Sequence, residues 1–285
     1  TPVAVSGITG CTAIAGGGTH SLFLLSDGNV KNVGNNNFGQ LGDGSTTDRS
    51  TPVAVYGVSG WGSDCTAIAC GENHSLFLLS DGTVKSVGNN GSGQLGDHTT
   101  TNRSHPVAVN GITGCTAIAC GGHHCLFLLS DGTVRSVGNN GSGQLGDGTH
   151  GHVKSFTVAV SSVSGCTAIA GGVSHSMFLL SDGTVKSVGW NDYGQLGLGI
   201  PPSPPHHFAS TAVAVSGITG CTAITGGASH SLFLLSDNTC KSVGMNVYGQ
   251  LGDGTTVGDV YWSYRISILA VLGITGYITN ASDLA

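Results

Sequence analysis

Apolar residues in this chain come in short consecutive runs and not in helical stripes. Leu76, Phe77, Leu78 and Leu79 are apolar at four successive positions, the pattern of a strand covered on both faces. Glycine-rich polar turns bracket the run, Gly71-Glu72-Asn73 before it and Ser80-Asp81-Gly82 after it. The pattern then repeats. HSLFLLSDG starts at His20 and His74, and near copies start at His124 (HCLFLLSDG), His175 (HSMFLLSDG) and His230 (HSLFLLSDN). Each unit reads as an edge segment (TPVAVSGITG), CTAIA, a Gly-rich turn, HSLFLLSDG, TVKSVG and a loop ending GQLG. Four apolar stretches separated by Gly, Asn-Gly or Asp-Gly turns predict four β-strands per unit. Small four-stranded sheets bury both faces by stacking around an axis, so the expected fold is an all-β propeller.

The units run approximately over 1–50, 51–104, 105–155, 156–210 and 211–265, and 266–285 is a sixth partial unit or closure segment. The edge segment occurs six times, at Pro2–Thr9, Pro52–Ser59, Pro106–Thr113, Thr157–Ser164, Ala212–Thr219 and Ile268–Thr275, and everything else five times. A single closed ring of five blades over 1–285 is expected, with the duplicated strand near the seam. The alternatives are part of a six- or seven-bladed ring, or a ring shared between chains. Composition narrows the class without naming a function. Glycine supplies 49 of 285 residues, charged residues only 8%, and the formal net charge is −6. So much glycine disfavours helices, and so little charge disfavours charge-driven disorder. No apolar run reaches the ~18 residues of a membrane span.

The pattern G-x-x-H-S-L…S-D-G-x-V…G-x-N-x-x-G-Q-L-G is carried in the second unit by Gly71, His74, Asp81, Gly82, Val84, Gly88, Asn90, Gly93, Gln94, Leu95 and Gly96. It resembles the repeat of the regulator of chromosome condensation family over residues 1 to about 256. The resemblance implies a propeller. Two features depart from the family: Val33, Val87, Val137, Val188 and Val243 stand where it usually has Trp, and five full units stand where it usually has seven blades.

Comparing the copies separates frame from candidate chemistry. Asp27, Asp81, Asp131, Asp182 and Asp237 share one turn position, where a carboxylate caps the turn backbone. All nine Lys and Arg fall on two repeat positions, Lys31, Lys85, Arg135, Lys186, Lys241 and Arg49, Arg103, Lys154, Arg265. Cations so dispersed on an acidic chain argue against a nucleic-acid partner. The repeat histidines (His20, His74, His124, His175, His230) are expected to satisfy buried backbone groups. Cys11, Cys65, Cys115, Cys166 and Cys221 are five copies of a small buried hydrophobe. One cluster has metal-ligand character: Cys120, His123, His124 and Cys125. Plain packing is the favoured reading there; a Cys120–Cys125 bridge and a zinc or copper site are the alternatives. No cofactor is expected.

Specificity should sit where the copies disagree. Two positions of the G-x-N-x-x-G-Q loop read Asn35 and Phe38, Asn89 and Ser92, Asn139 and Ser142, Trp190 and Tyr193, Met245 and Tyr248. The candidate partner surface is the arc Trp190, Tyr193, Met245, Tyr248 and Phe38, side-chain types that anchor interfaces or stack on sugars. Inserts at Leu198–Phe208 and Val257–Tyr264 lie in the same hemisphere, and Trp61–Asp64 elsewhere. No nucleophile elbow, phosphate loop, H-E-x-x-H or paired glutamates occur, so no enzyme is expected. Three functions remain. The first is a non-catalytic recognition scaffold for a protein or glycan, and the family includes a secreted bacterial inhibitor that grips its enzyme this way. The second is a self-assembling homo-oligomer using the Ile268–Thr275 edge. The third, nucleotide exchange on a small GTPase, is disfavoured by the short ring. Thr1 in place of Met and several Asn-x-Ser triplets lean towards secretion; a free thiol leans the other way.

Overall fold

The computed structural model describes residues 1–58, 64–200 and 207–256, and the backbone of 264–270. Among the described residues it is all β, with twenty strands in five four-stranded sheets. The first sheet is β1 (Cys11–Gly16), β2 (His20–Leu25), β3 (Val30–Gly34) and β4 (Arg49–Ala54). The second is β5 (Cys65–Cys70), β6 (His74–Leu79), β7 (Val84–Gly88) and β8 (Arg103–Ala108). The third is β9 (Cys115–Cys120), β10 (His124–Leu129), β11 (Val134–Gly138) and β12 (Lys154–Ala159). The fourth is β13 (Cys166–Gly171), β14 (His175–Leu180), β15 (Val185–Trp190) and β16 (Phe208–Ala214). The fifth is β17 (Cys221–Gly226), β18 (His230–Leu235), β19 (Cys240–Met245) and β20 (Tyr264–Ala270). Each sheet is a meander in chain order.

Turn chemistry explains the hairpins. Between β6 and β7 the chain reverses through Ser80, Asp81 and Gly82, closed by Leu79 N–H to Thr83 O at 2.9 Å. Gly82 sits at φ +74°, the left-handed position that a three-residue hairpin needs. In the fifth blade Asn238 takes that position at φ 63°, as Asn does more readily than most residues.

The edge segment is not the first strand of its unit. Pro52, Val53 and Ala54 end β4, where Val53 pairs with Asn32 and Ala54 with Lys31. Five of the six copies supply the fourth strand of the preceding blade, so blades run 11–54, 65–108, 115–159, 166–214 and 221–270, out of phase with the sequence units. The copy at Ile268–Thr275 is not a spare strand as far as Ala270, because Leu269 and Ala270 pair with Ser242 and Lys241 of β19; residues 271–275 lie outside the described residues. The copy that forms no strand is the first, Pro2–Thr9, where Val3 is 87% exposed.

The chain divides into two compact units. One holds residues 1–130, 137–139 and 153–157, and the other 131–136, 140–152 and 158–285. In the first unit, Leu22, Leu24 and Val30 of one blade pack against Phe77, Leu79 and Val87 of the next. Leu76, Leu78 and Val84 then pack against Cys115, Cys125 and Phe127. In the second unit, Met177, Leu179 and Val185 pack against Ile224, Phe233 and Leu235. Each fully buried Leu or Phe contributes roughly 1.5–3 kcal/mol, so blade-to-blade contact is the main cohesive term. β6 is buried at all six positions, as the consecutive apolar run predicts.

Candidate functional site

His20 and His175 each tie their blade to the next. His20 Nε2 lies 3.0 Å from Ser75 Oγ, which donates to Gln40 O at 2.8 Å. His175 Nε2 lies 3.0 Å from Ser231 Oγ, which donates to Gln195 O at 2.8 Å. Since each serine proton goes to the carbonyl, Nε2 must carry the imidazole proton. The expectation of a backbone acceptor is thus replaced by a hydroxyl relay, and Nδ1 of His20 and of His175 is buried without a partner. Burial, with the neighbouring His74 or His230 imidazole second, holds His20 and His175 down to about 4.

The loop after each third strand is equally fixed. Asn36 Oδ1 accepts from Leu41 N at 2.9 Å, and its amide donates to Asp43 Oδ1 at 3.1 Å. Asp43 in turn accepts from Arg49 Nε at 2.7 Å, and Asp97 from Arg103 Nε at 2.8 Å. The turn aspartates cap their hairpins, with Asp131 accepting from Thr133 N and Oγ1 at 2.9 and 2.6 Å. Lys31 donates to Gly7 O at 2.9 Å and Lys241 to Gly217 O at 3.3 Å. The charges are frame.

On this frame the variable positions stand at the loop tips. Phe38, Tyr193 and Tyr248 each donate their backbone N–H to the glutamine Oε1 two residues on, at 3.0, 3.0 and 2.9 Å. Tyr248 is 84% exposed; Phe38, Trp190, Tyr193 and Met245 are half-buried. The other variable position has a structural duty. Asn35 Oδ1 accepts from Gln40 Nε2 at 2.8 Å, and Asn89 Oδ1 from Gln94 Nε2 at 2.7 Å. In the fourth blade Trp190 replaces that asparagine, and Gln195 Nε2 is left buried without a partner. Trp190 instead packs edge-to-face on Tyr193, ring centroids 5.2 Å apart at 81°.

Three neighbours extend this surface: Phe208 and His207 from the Leu198–Phe208 insert, and His150, which the sequence did not single out. Phe208 is the strand partner of Trp190, and His150 lies 4.6 Å from the Phe208 ring. His207 Nδ1 meets Asp192 Oδ1 at 2.6 Å. His150 differs from the residue at its place in the other units, and that departure is the signal that could have found it. Phe38 lies in the first unit and the other four arc residues in the second. Trp61 and residues 201–206 and 257–263 of the inserts, His206 included, lie outside the described residues.

The sequence-derived metal cluster separates. His123 Nε2 faces Glu72 Oε2 at 3.1 Å on the surface, and His124 is a buried repeat histidine. Cys120 and Cys125 remain together, and the histidine beside them is His74 of the preceding blade.

The repeated four-stranded blade is matched by a known family. A family model for the RCC1-like domain matches residues 1–276. The chain belongs to the RCC1-like domain family. Among curated relatives of this RCC1-like chain, the ultraviolet-B receptor UVR8 of Arabidopsis thaliana is 30% identical over the whole chain, which spans 64% of the receptor's length. A shorter match, 41% identical over 96 residues, covers 33% of this chain and 9% of the Probable E3 ubiquitin-protein ligase HERC4 of Homo sapiens. Human WBSCR16 superposes with a TM-score of 0.78 at 24% identity, covering 92% of this chain and 67% of that one. Prp20p of Saccharomyces cerevisiae, described with its binding properties to Gsp1p and histones, gives a TM-score of 0.72 at 20% identity, covering 92% of this chain and 76% of that one. At these identities the solved structures speak for the fold.

Proposed function

We propose that this RCC1-like chain is a non-catalytic recognition domain that binds a protein partner through the loop tips of its fourth and fifth blades. The carrying observation is the exchange at Trp190. The fourth blade gives up a buried glutamine hydrogen bond that the first and second blades keep, and gains an aromatic pair at the surface. A position that gives up a buried hydrogen bond and displays Trp beside Tyr is a candidate for selected binding. Met245 and Tyr248 hold the same loop positions one blade on, and Tyr248 is almost wholly exposed. Phe208 extends the aromatic centre, and His150 with the Asp192–His207 pair supplies a polar rim, the usual anatomy of an interface. Family members are known from their structures with protein partners, as yeast RCC1 (Prp20) is with Kap60.

The test is affinity capture with the immobilised chain, comparing wild type with Trp190→Asn/Tyr193→Ser, alongside a glycan array. Proteins retained by wild type and lost from the variant support the reading. An unchanged retained set, or array binding that needs the same two side chains, overturns it.

A further inference from the structure

Three of the nine cysteines depart from the repeat within one joint, between the second and third blades. β5 and β9 end in Cys70 and Cys120 where β1, β13 and β17 end in Gly16, Gly171 and Gly226. β10 carries Cys125 where the other four second strands carry Ser. Cys120 and Cys125 flank one hairpin, and the fold adds a histidine from the preceding blade. Cys120 and Cys125 pair directly across β9 and β10. His74 Nε2, reaching over from the second blade, lies 3.1 Å from Cys125 Sγ. One ligand atom each from His74, Cys120 and Cys125 fall within 4.8 Å of one another, and His74 and Cys125 are fully buried. Cys70 interacts electrostatically with Cys120. All nine cysteines are free thiols.

Packing alone accounts poorly for this convergence. A buried small hydrophobe is what Cys65, Cys115, Cys166 and Cys221 already provide at their own repeat position. Ser at position 125 would donate to Gln94 O as Ser75 does to Gln40 O, so a thiol there gives a weaker hydrogen bond in exchange for a soft ligand atom. Around a tetrahedral zinc, with zinc–sulfur about 2.3 Å and zinc–nitrogen about 2.0–2.1 Å, ligand atoms stand about 3.5–3.8 Å apart. The three ligand atoms, all within 4.8 Å of one another, are near that spacing. Two thiolates and one neutral imidazole cancel a divalent charge, which suits a buried position.

We propose that His74, Cys120 and Cys125 form a zinc site that staples the second blade to the third. Binding releases the two thiol protons to solvent and leaves imidazole Nε2 on the metal with its proton on Nδ1. At this joint the metal takes the place of the His–Ser–carbonyl relay used elsewhere. The proposal does not depend on the recognition surface of the fourth blade.

The test uses the full chain, reduced and stripped of metal, titrated with cobalt(II) and then zinc(II). One cobalt per chain is expected, with a sulfur-to-cobalt charge-transfer band that zinc bleaches. Zinc should also raise the thermal midpoint. Cys125→Ser and Cys120→Gly restore residues found in other blades, so the fold should survive. Each should weaken binding by about two orders of magnitude or more. His123→Ala should leave it unchanged. Absence of the charge-transfer band at stoichiometric cobalt, or its persistence in the Cys120→Gly/Cys125→Ser double variant, overturns the proposal.

Discussion

Restoring the repeat at Trp190 should separate stability from binding. Trp190→Asn and Trp190→Ala both remove the indole and its contact with Tyr193, but only asparagine can accept from Gln195 Nε2, as Asn89 does from Gln94 at 2.7 Å. Gln195 is 1% exposed and its amide lacks a partner. Leaving a buried donor unsatisfied costs about 1–3 kcal/mol. Trp190→Asn should therefore be more stable than Trp190→Ala by about 1.5 kcal/mol, near the lower middle of that range. With a urea slope of about 3 kcal/mol/M, the two midpoints should differ by about 0.5 M at unchanged slope. The mirror experiment is Asn89→Ala in the second blade, which should cost about the same by orphaning Gln94. Against wild type, Trp190→Asn loses an aromatic pair worth about 0.5–1.5 kcal/mol and some indole burial, so its net change is small while binding is lost. Equal midpoints for the Asn and Ala variants would refute the hydrogen-bond argument, and with it the claim that this blade gives up a buried hydrogen bond for display.

Three further outcomes follow from the frame. Burial depresses His20 and His175 to about 4 in the folded chain, below the ordinary histidine value of about 6.5. The unfolded chain then binds more protons, so stability should be flat above about pH 7 and fall between about 6.5 and 4, by up to roughly 3 kcal/mol per histidine; a urea midpoint independent of pH across that window would refute it. Arg103→Ala strips the charged partner from Asp97, whose side chain is only 7% exposed, and should cost about 2 kcal/mol by chemical denaturation. Arg103→Lys, the residue type the third blade carries at Lys154, should cost less, and equal losses would argue against the ion pair. Gly71→Ala would set a Cβ 2.0 Å from His74 Cε1, so the ring must leave Cys125; a loss of about 3 kcal/mol or more is expected, and a neutral substitution would show that the His74–Cys125 contact is dispensable.

The four-strand unit, the hairpin turns and the capping aspartates were legible because each is fixed by local chemistry repeated five times. The phase of the blades was not, because the edge segment is read beside the strand that follows it in sequence and pairs with the one before. Burial was legible only in part. β2 and β6 have the same sequence, His-Ser-Leu-Phe-Leu-Leu, yet β6 is buried at every position and β2 only at alternate ones; Ile14 on the neighbouring β1 is 76% exposed while Ile224 is 4% exposed. Identical residues cannot announce which faces are covered.

The same limit shaped the reading of the sites. Cys120, His123, His124 and Cys125 looked like a cluster because they are contiguous, but alternation along β10 turns neighbours to opposite faces. The histidine that meets the thiols comes from fifty residues earlier. Likewise the importance of Trp190 is carried less by the indole than by Gln195, a residue whose sequence is unchanged and whose partner has vanished. In a repeat protein the informative positions are departures from the template together with the template residues those departures leave unpaired. By that criterion two places stand out among the described residues, the Trp190–Gln195 loop and the Cys70–Cys120–Cys125 joint, one giving up a hydrogen bond and the other exchanging it for sulfur.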